Sequence, residues 1–178
     1  MRQRIYLCEG ETEQHLIKAL KDRKLIEPGQ AQVFNAVQRN AEPMLRKWKQ
    51  KLEIVLVVDA DTGPYEANSR LAKNLKMLED RGRESRLILQ CGNLEEELTH
   101  CCRSRGMYDA FNASSDSEFK SNFLKVRKDQ LISKLKHCGF DFSRLWQMDC
   151  KGDKLDSTLM KYLWDVSTNV STLSLIHI

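Results

Sequence analysis

Four carboxylates of this chain follow closely on two short apolar runs: Glu9, Glu13, Asp59 and Asp61. The runs, residues 5–8 and 54–58, have the composition of buried parallel strands, which deliver side chains to a ligand site at their carboxyl ends. Four carboxylates that converge there repel one another unless a cation neutralises them. Because Mg²⁺ prefers carboxylate oxygen and keeps several waters, the pattern predicts a magnesium site.

The spacing within each pair places both of its acids on one side. Glu9 and Glu13 lie at a strand end and one helical turn further on, so both face the carboxyl edge of the sheet. Gly10 leaves room there for the close approach of a phosphate or a metal ion. Asp59 and Asp61 are two residues apart, so an extended backbone points both side chains the same way. For either pair alone, capping and surface charge remain the alternative.

A third acidic segment, residues 95–97, follows a further apolar run at residues 86–91. Acids in the first turn of a helix stabilise its dipole, which accounts for all three without any ligand. If the sheet is parallel, however, this junction lies on the same edge as the other two. One of the acids would then complete the metal shell, and we expect Glu95 rather than Glu96 or Glu97.

An alternation of predicted strands and helices positions these acids. The predicted strands are residues 3–8, 31–36, 53–58 and 86–91. The predicted helices are residues 12–23, 41–51, 66–81 and 118–137, with a further helix opening at residue 94. After residue 139, we expect an edge strand at residues 145–148 and a helix at residues 155–164. Alternating units of this kind predict an α/β fold, with a mostly parallel central sheet and helices on both faces.

Length and composition fit one domain, with a core of residues 3–137 and a C-terminal extension at residues 138–178. Because no apolar stretch reaches about 18 residues and no signal pattern opens the chain, we expect a cytoplasmic protein that does not enter a membrane. The six cysteines show no Cys-x-x-Cys spacing. The His-Cys sequences at residues 100–102 and 137–138 lack the paired spacing of zinc sites, so we expect buried thiols in a reducing compartment.

Basic residues gather in two segments, residues 39–51 and 117–137, although the net charge of the chain is only +4. Such clusters suit the phosphate backbone of a nucleic acid. For either segment taken alone, a solvated helix face is an equally good explanation.

The first two acidic motifs together resemble the TOPRIM domain, a family shared by topoisomerases, primases and nucleases. The resemblance lies in Glu-Gly at residues 9–10 and Asp-Ala-Asp at residues 59–61. The sequence Cys-Glu-Gly-Glu-Thr-Glu at residues 8–13 is most similar to the nuclease branch found in OLD-type (overcoming lysogenization defect) proteins. That branch also places an acid after the next strand, which Glu95 matches, and a lysine further on, which Lys120 matches.

The resemblance covers roughly residues 3–125 and implies a Rossmann-like, three-layer TOPRIM fold. We expect no counterpart of the ATPase domain that OLD proteins carry, so a separate ATPase or sensor protein would be the partner in such a role. Asp61 is followed by Thr62 and Gly63, so the third acid that topoisomerases place two residues later is missing. This departure favours hydrolysis over strand passage.

The resemblance implies phosphodiester cleavage assisted by one or two Mg²⁺ (or Mn²⁺) ions, in a prokaryotic defence or repair setting. The implied metal ligands are Glu13, Asp59, Asp61 and Glu95. Glu9 would act as general base or as an additional ligand, and Lys120 would offset negative charge in the transition state. The residues that would hold the nucleic-acid backbone without reading its sequence are Arg46, Lys47, Lys49, Lys125, Arg127 and Lys128.

Two other functions stay open. Residues 59–62 also resemble the nucleophile loop of haloacid-dehalogenase-like phosphatases, in which the first aspartate is phosphorylated. That loop follows the first strand of its fold, whereas here it follows the third, and it leaves residues 9–13 without a role. The other is a non-catalytic TOPRIM-like subunit that binds nucleic acid or a partner protein. Neither a Gly-x-Gly-x-x-Gly nor a Walker sequence is present to indicate nucleotide hydrolysis.

Overall fold

The computed structural model describes residues 3–46, 48, 52–61, 63–102, 106–147 and 154–164. The strands of this part of the chain are β1 Gln3–Cys8, β2 Gln30–Val33, β3 Leu52–Asp59 and β4 Glu84–Gln90. They form one sheet in the order β2-β1-β3-β4, and every neighbouring pair is parallel. The predicted α/β fold with a parallel sheet is confirmed. The strands that lead into the first two acidic motifs, β1 and β3, are its two central strands.

Helices cover both faces of the sheet. Those of the described residues are α1 Glu11–Asp22, α2 Glu42–Leu45, α3 Arg70–Asp80, α4 Leu94–Cys101, α5 Met107–Ala110, α6 Asp116–Lys125 and α7 Lys128–His137. Helices α1, α4, α6 and α7 bury apolar side chains against one face, which we call the α1 face. Helices α2 and α3 cover the opposite face. The result is the three-layer arrangement of a Rossmann-like fold.

Strand β3 is apolar from Ile54 to Val58 because it is covered on both sides. Val55 and Val57 pack on the α1 face, whereas Ile54 and Leu56 pack against the layer that contains α3. Successive side chains of a strand point to opposite faces, so a strand in the middle layer needs apolar residues at every position. The same alternation directs the side chain of Asp59 to the α1 face.

The predicted single helix over residues 118–137 is wrong, because the chain forms two helices, α6 and α7, with extended backbone at Val126 and Arg127. The buried positions of this segment are Phe119, Phe123, Leu131, Ile132 and Leu135, whereas Arg127 at the break is exposed. In one straight helix, Phe119 and Leu135 would point about 160° apart. Two shorter helices keep both ends against the core. The break is also bridged, since the Nε2 of His15 donates to the carbonyl of Val126 at 2.9 Å.

Three other predicted elements end earlier or start later than expected. The predicted helix at 66–81 begins at Arg70, because the hydroxyl of Ser69 accepts from the amide of Ala72 and caps it. The predicted strand at 31–36 ends at Val33, since the Asn35 side chain accepts from two backbone amides and forms a turn. Within the described residues, the predicted helix at 41–51 is helical only in α2.

At the C-terminal end, the structure forms other types of element than the sequence predicts. Of the predicted edge strand 145–148, the described residues 145–147 form a turn, with Trp146 at φ 63°. Within the predicted helix 155–164, residues Ser157–Tyr162 form a 3₁₀ helix. Another 3₁₀ helix spans Phe142–Arg144.

The segment at residues 154–164 runs beside β4. At one end, the amide of Tyr65 donates to the carbonyl of Lys154 at 2.8 Å, just after β3. At the other end, the amide of Trp164 donates to the carbonyl of Leu87 at 2.8 Å. The Trp164 ring there lies against the guanidinium groups of Arg4 and Arg86, 5.0 and 5.2 Å from its centroid. This segment therefore covers the outer side of β4.

The expectation of buried thiols is confirmed for four cysteines, since Cys8, Cys101, Cys102 and Cys138 are free and buried. Cys91 contradicts the expectation that every cysteine is a thiol, because it is disulfide-bonded. Cys150 lies outside the described residues. In the same part of the chain, no helix has the length and apolar character needed to span a bilayer.

Candidate metal centre

Glu9 ties together the ends of three chain segments at the carboxyl edge of the sheet. Its Oε2 accepts from the backbone amide of Asp59 at 3.1 Å, which joins the end of β1 to the end of β3. Its Oε1 accepts from Nδ2 of Asn35, in the turn after β2, at 2.8 Å. Burial raises the pKa of Glu9, and the charge of Asp61 raises it further. Glu9 is thus a fixed acceptor at the centre of the edge.

Glu13 reaches the same place from the first turn of α1. The helix follows Gly10, which is extended at φ −134° and ψ −177°, and the Glu13 side chain is buried beneath that turn. A Cβ on Gly10 would lie 2.7 Å from Oε2 of Glu13. The Thr12 hydroxyl donates to Oε1 of Glu13 at 3.3 Å. Glycine at position 10 therefore makes the space into which the carboxylate folds.

These side chains surround an open pocket of about 380 Å³. Its lining residues are Glu9, Gly10, Glu11, Thr12, Glu13, Asp59, Lys120 and Leu124. Four of the predicted site residues are among them, contributed by β3, by α6 and by the junction of β1 with α1. The pocket therefore lies where the sequence predicts the acids to converge.

Of the three acids in residues 95–97, Glu95 is the one directed at this site. Its side chain is 3% exposed, and its Oε2 lies 3.6 Å from Nζ of Lys120. Glu97 serves the core instead, because its carboxylate accepts from the backbone amides of Cys91 and Trp146. Glu96 is exposed. The geometry agrees with the preference for Glu95 in the sequence.

The acids act on one another electrostatically. Burial raises the pKa of Asp59 to about 8, together with repulsion from Glu13, Glu9, Asp61 and Glu95. Burial likewise raises the pKa of Glu95, against which Lys120 acts as a nearby cation. Asp61 is exposed, yet its charge acts on both Asp59 and Glu9. Each of the other predicted metal ligands is therefore close enough to Asp59 for its charge to oppose the ionisation of Asp59.

Two buried carboxylate oxygens at this site, Oδ1 of Asp59 and Oε1 of Glu95, have no hydrogen-bond partner. A buried charged oxygen without a partner is costly, and a hard cation would satisfy it. The donors are all carboxylate oxygens, which is the set that Mg²⁺ and Mn²⁺ prefer. Across the described ranges, no group of three or more His, Cys, Asp or Glu side chains could hold a metal ion as it stands. The residues present fit the ion in type and charge. They surround an open pocket and do not form a closed coordination shell.

The predicted nucleic-acid residues do not lie together. Lys125 follows Leu124, whose side chain lines the pocket, and Arg127 is paired with Asp129 at the break before α7. Arg46 lies at the opposite, amino edge of the sheet, because its segment leads into the start of β3 and its partner Glu42 also binds Arg81 after α3. Lys128 is exposed at the first position of α7. Lys47 and Lys49 fall outside the described residues.

Sequence reasoning missed three residues that support the acids. Asn35 donates to Glu9. The hydroxyl of Tyr65 donates to the backbone carbonyl of Asp59 at 2.5 Å. Gln90 pairs with Asp59 in the sheet and is fully buried. The sequence signal that could have indicated them is a polar residue at or just after the end of a neighbouring strand. Which acid such a residue contacts depends on strand order and register.

Comparison with known proteins adds no relative: no family model, curated protein or solved structure matches the chain. The resemblance to TOPRIM nucleases therefore remains an expectation drawn from the acidic motifs.

Proposed function

We propose that this chain is a Mg²⁺- or Mn²⁺-dependent phosphodiester hydrolase that acts on DNA or RNA. The observation that carries the proposal is the meeting of several acids and one lysine around a single open pocket. Glu9, Glu13, Asp59 and Lys120 line that pocket, and Glu95 pairs with Lys120 at its wall. In the setting that the resemblance to TOPRIM nucleases implies, the enzyme would be a cytoplasmic effector of defence or repair, controlled by a separate ATPase or sensor protein.

An acidic pocket repels a phosphodiester unless positive charge is supplied. When bound, Mg²⁺ polarises the phosphate and orients the attacking water. The carboxylates of Glu13, Asp59, Asp61 and Glu95 are the groups that would hold it. Lys120 adds a second positive charge, and its side chain is 51% exposed, so it can turn from Glu95 towards a non-bridging phosphate oxygen.

Glu9 suits the role of proton acceptor. Each of its oxygens accepts one hydrogen bond, from Asn35 or from the amide of Asp59, which fixes the carboxylate and leaves lone pairs free. Burial raises its pKa above the ordinary value, towards the range in which a carboxylate takes a proton from water most effectively. Direct ligation of the cation is the other role open to it.

The nucleic-acid backbone would approach along α6. Leu124 lines the pocket and is 36% exposed, which gives a small apolar surface beside the acids. Lys125 follows it, and Arg127 and Lys128 continue the positive charge beyond the end of α6. Arg46, at the other edge of the sheet, is not placed to hold the same stretch of backbone.

The test combines metal binding with cleavage. Mg²⁺ and Mn²⁺ binding is measured by calorimetry, and labelled single- and double-stranded DNA and RNA are incubated with each metal or with EDTA. Wild type is compared with Asp59→Asn and with the control Asp80→Asn, which removes an exposed acid on α3 that is paired with Lys76. We expect metal-dependent cleavage that falls by about 100-fold or more in Asp59→Asn and is unchanged in the control.

Cleavage by Asp59→Asn at the wild-type rate would contradict the proposal. Metal binding without cleavage of any substrate would favour the non-catalytic subunit. A covalent beryllofluoride adduct on Asp59 would favour the phosphatase, because only that chemistry forms an aspartyl phosphate.

A further inference from the structure

Gln90, the last residue of β4, is fully buried, and neither Oε1 nor Nε2 of its carboxamide has a hydrogen-bond partner. Leaving a buried donor or acceptor unpaired costs the full desolvation of that group. Buried polar groups are therefore paired in the great majority of cases. A carboxamide with both ends unpaired implies a ligand that satisfies it.

The sheet places this carboxamide beside Asp59. Gln90 and Asp59 are register partners on adjacent parallel strands, and the pair before them on the same face is Val57 with Ile88. Val57 and Ile88 both pack on the α1 face. Because side chains alternate along a strand, Gln90 and Asp59 are directed to that face as well.

The backbone holds this arrangement in place. The amide of Ala60, next to Asp59, donates to the carbonyl of Gln90 at 2.9 Å and approaches the carbonyl of Gly92 at 3.0 Å. The ends of β3 and β4 are thus locked to each other just where the acids converge. Gln90 cannot leave the site without disrupting these bonds.

Unpaired polar atoms come together at this junction from three elements. Besides the carboxamide of Gln90 on β4, they are Oδ1 of Asp59 on β3 and Oε1 of Glu95 in the first turn of α4. Gln90 lies beside Asp59 in the sheet, and Glu95 is near enough for its charge to raise the pKa of Asp59. A hydrated cation provides both a positive charge for the carboxylates and water hydrogens for an amide oxygen.

We propose that Gln90 belongs to the metal centre: its Nε2 donates to Oδ1 of Asp59, and its Oε1 accepts from a water molecule held by the bound cation. The inference rests on the metal-binding part of the proposed function and not on cleavage. Gln90 orients a ligand and contributes an oxygen without adding another negative charge to an already repulsive cluster. A group of this kind typically changes metal affinity by about 10- to 100-fold when it is removed.

The test is calorimetric titration of Gln90→Met with Mg²⁺, together with urea unfolding in EDTA. Methionine keeps the length of the side chain and removes both unpaired polar ends. We expect Mg²⁺ affinity to fall by about tenfold or more, whereas stability without metal stays equal or rises because an unsatisfied group has gone. A fall in Mg²⁺ affinity without a fall in stability distinguishes a role in the metal site from a merely structural role.

Asn74→Leu is the matched control. Asn74 is also a buried carboxamide, but it lies in the opposite layer and is fully bonded to the backbone of residues 36, 39 and 41. Its loss should lower stability and leave Mg²⁺ affinity unchanged. In ¹⁵N-labelled wild type, which needs no variant to fold, the side-chain amide resonance of Gln90 should shift on Mg²⁺ addition while that of Asn74 stays in place.

Wild-type Mg²⁺ affinity in Gln90→Met, or a Gln90 resonance that does not respond to Mg²⁺, would overturn this inference and leave the proposed hydrolase standing. Absence of Mg²⁺ binding in wild type would overturn both. Weakened binding in the variant without cleavage by any form of the protein would support the inference and count against the hydrolase alone.

Discussion

Replacing Asp59 with asparagine should make the metal-free protein more stable at neutral pH. The pKa of Asp59 is raised from 3.8 to about 8 by burial and by four neighbouring acids. The folded protein therefore keeps a proton that the unfolded chain releases between these two values. The resulting stability is fully present below the unfolded pKa and is lost as the pH rises through about 8. Asparagine resembles the protonated carboxyl and does not ionise, so it escapes this loss.

One retained proton corresponds to about 1.4 kcal/mol for each pH unit. Between pH 5 and 7.5 the upper limit is then about 3 kcal/mol, and relaxation of a pocket open to water reduces it. We expect the stability of Asp59→Asn relative to wild type to increase by roughly 1–3 kcal/mol across this interval. Shifted groups that do not interact with Asp59, such as His15 with its lowered pKa, are common to both proteins and cancel in the difference.

The assay is urea unfolding followed by tryptophan fluorescence at pH 5, 6, 7 and 7.5 in EDTA. Repeating it with 10 mM Mg²⁺ should stabilise wild type and leave Asp59→Asn nearly unchanged, because only a protein that binds the ion gains from it. Parallel pH curves for the two proteins, or a growing advantage of wild type towards pH 7.5, would refute the electrostatic reasoning.

Other predictions concern the space beside the acids, the approach of nucleic acid and the C-terminal segment. Gly10→Ala should weaken Mg²⁺ binding several-fold in calorimetry with little change in stability, because its Cβ displaces only the end of the Glu13 side chain. Unchanged affinity would show that Glu13 is not a ligand. Lys125→Gln should lower the slope of log affinity for DNA against log salt by about one, whereas Arg46→Gln should leave it unaltered. Trp164→Ala should lower the free energy of unfolding in urea by about 3 kcal/mol. A change near zero would mean that residues 154–164 do not pack against the sheet.

The candidate acids were easier to predict from the sequence than the residues that support them. The apolar run of β3 followed by Asp59 predicts a buried strand and an acid at its carboxyl end together, since both follow from local composition. Gln90 could not be found in this way, because its meaning depends on which strand lies next to β3 and in what register. The position of Arg46, by contrast, was implicit in the topology. A segment that leads into a strand reaches the amino edge, away from acids that follow strands.

The helix break before α7 was missed for a different reason. Phe119 with Phe123, and Leu131 with Leu135, are each spaced for one face of a helix, and only the rotation of about 160° accumulated between the two ends prevents a single straight helix from burying both pairs. A pattern of spacings read over one or two turns does not reveal this rotation. Cys91 was misjudged because the spacing of cysteines in the chain carries no information about which of them meet in space.

The course of residues 154–164 beside β4 sets a lower limit on any working fragment of this protein. The acidic motifs and Lys120 all precede residue 125, which invites truncation soon after α6. Such a fragment would lose the backbone bonds that Lys154 and Asp156 make with Tyr65, whose hydroxyl holds the carbonyl of Asp59. It would also leave an apolar strand edge open to pairing with other chains. Expression boundaries, fusion points and domain definitions should therefore extend at least to Trp164.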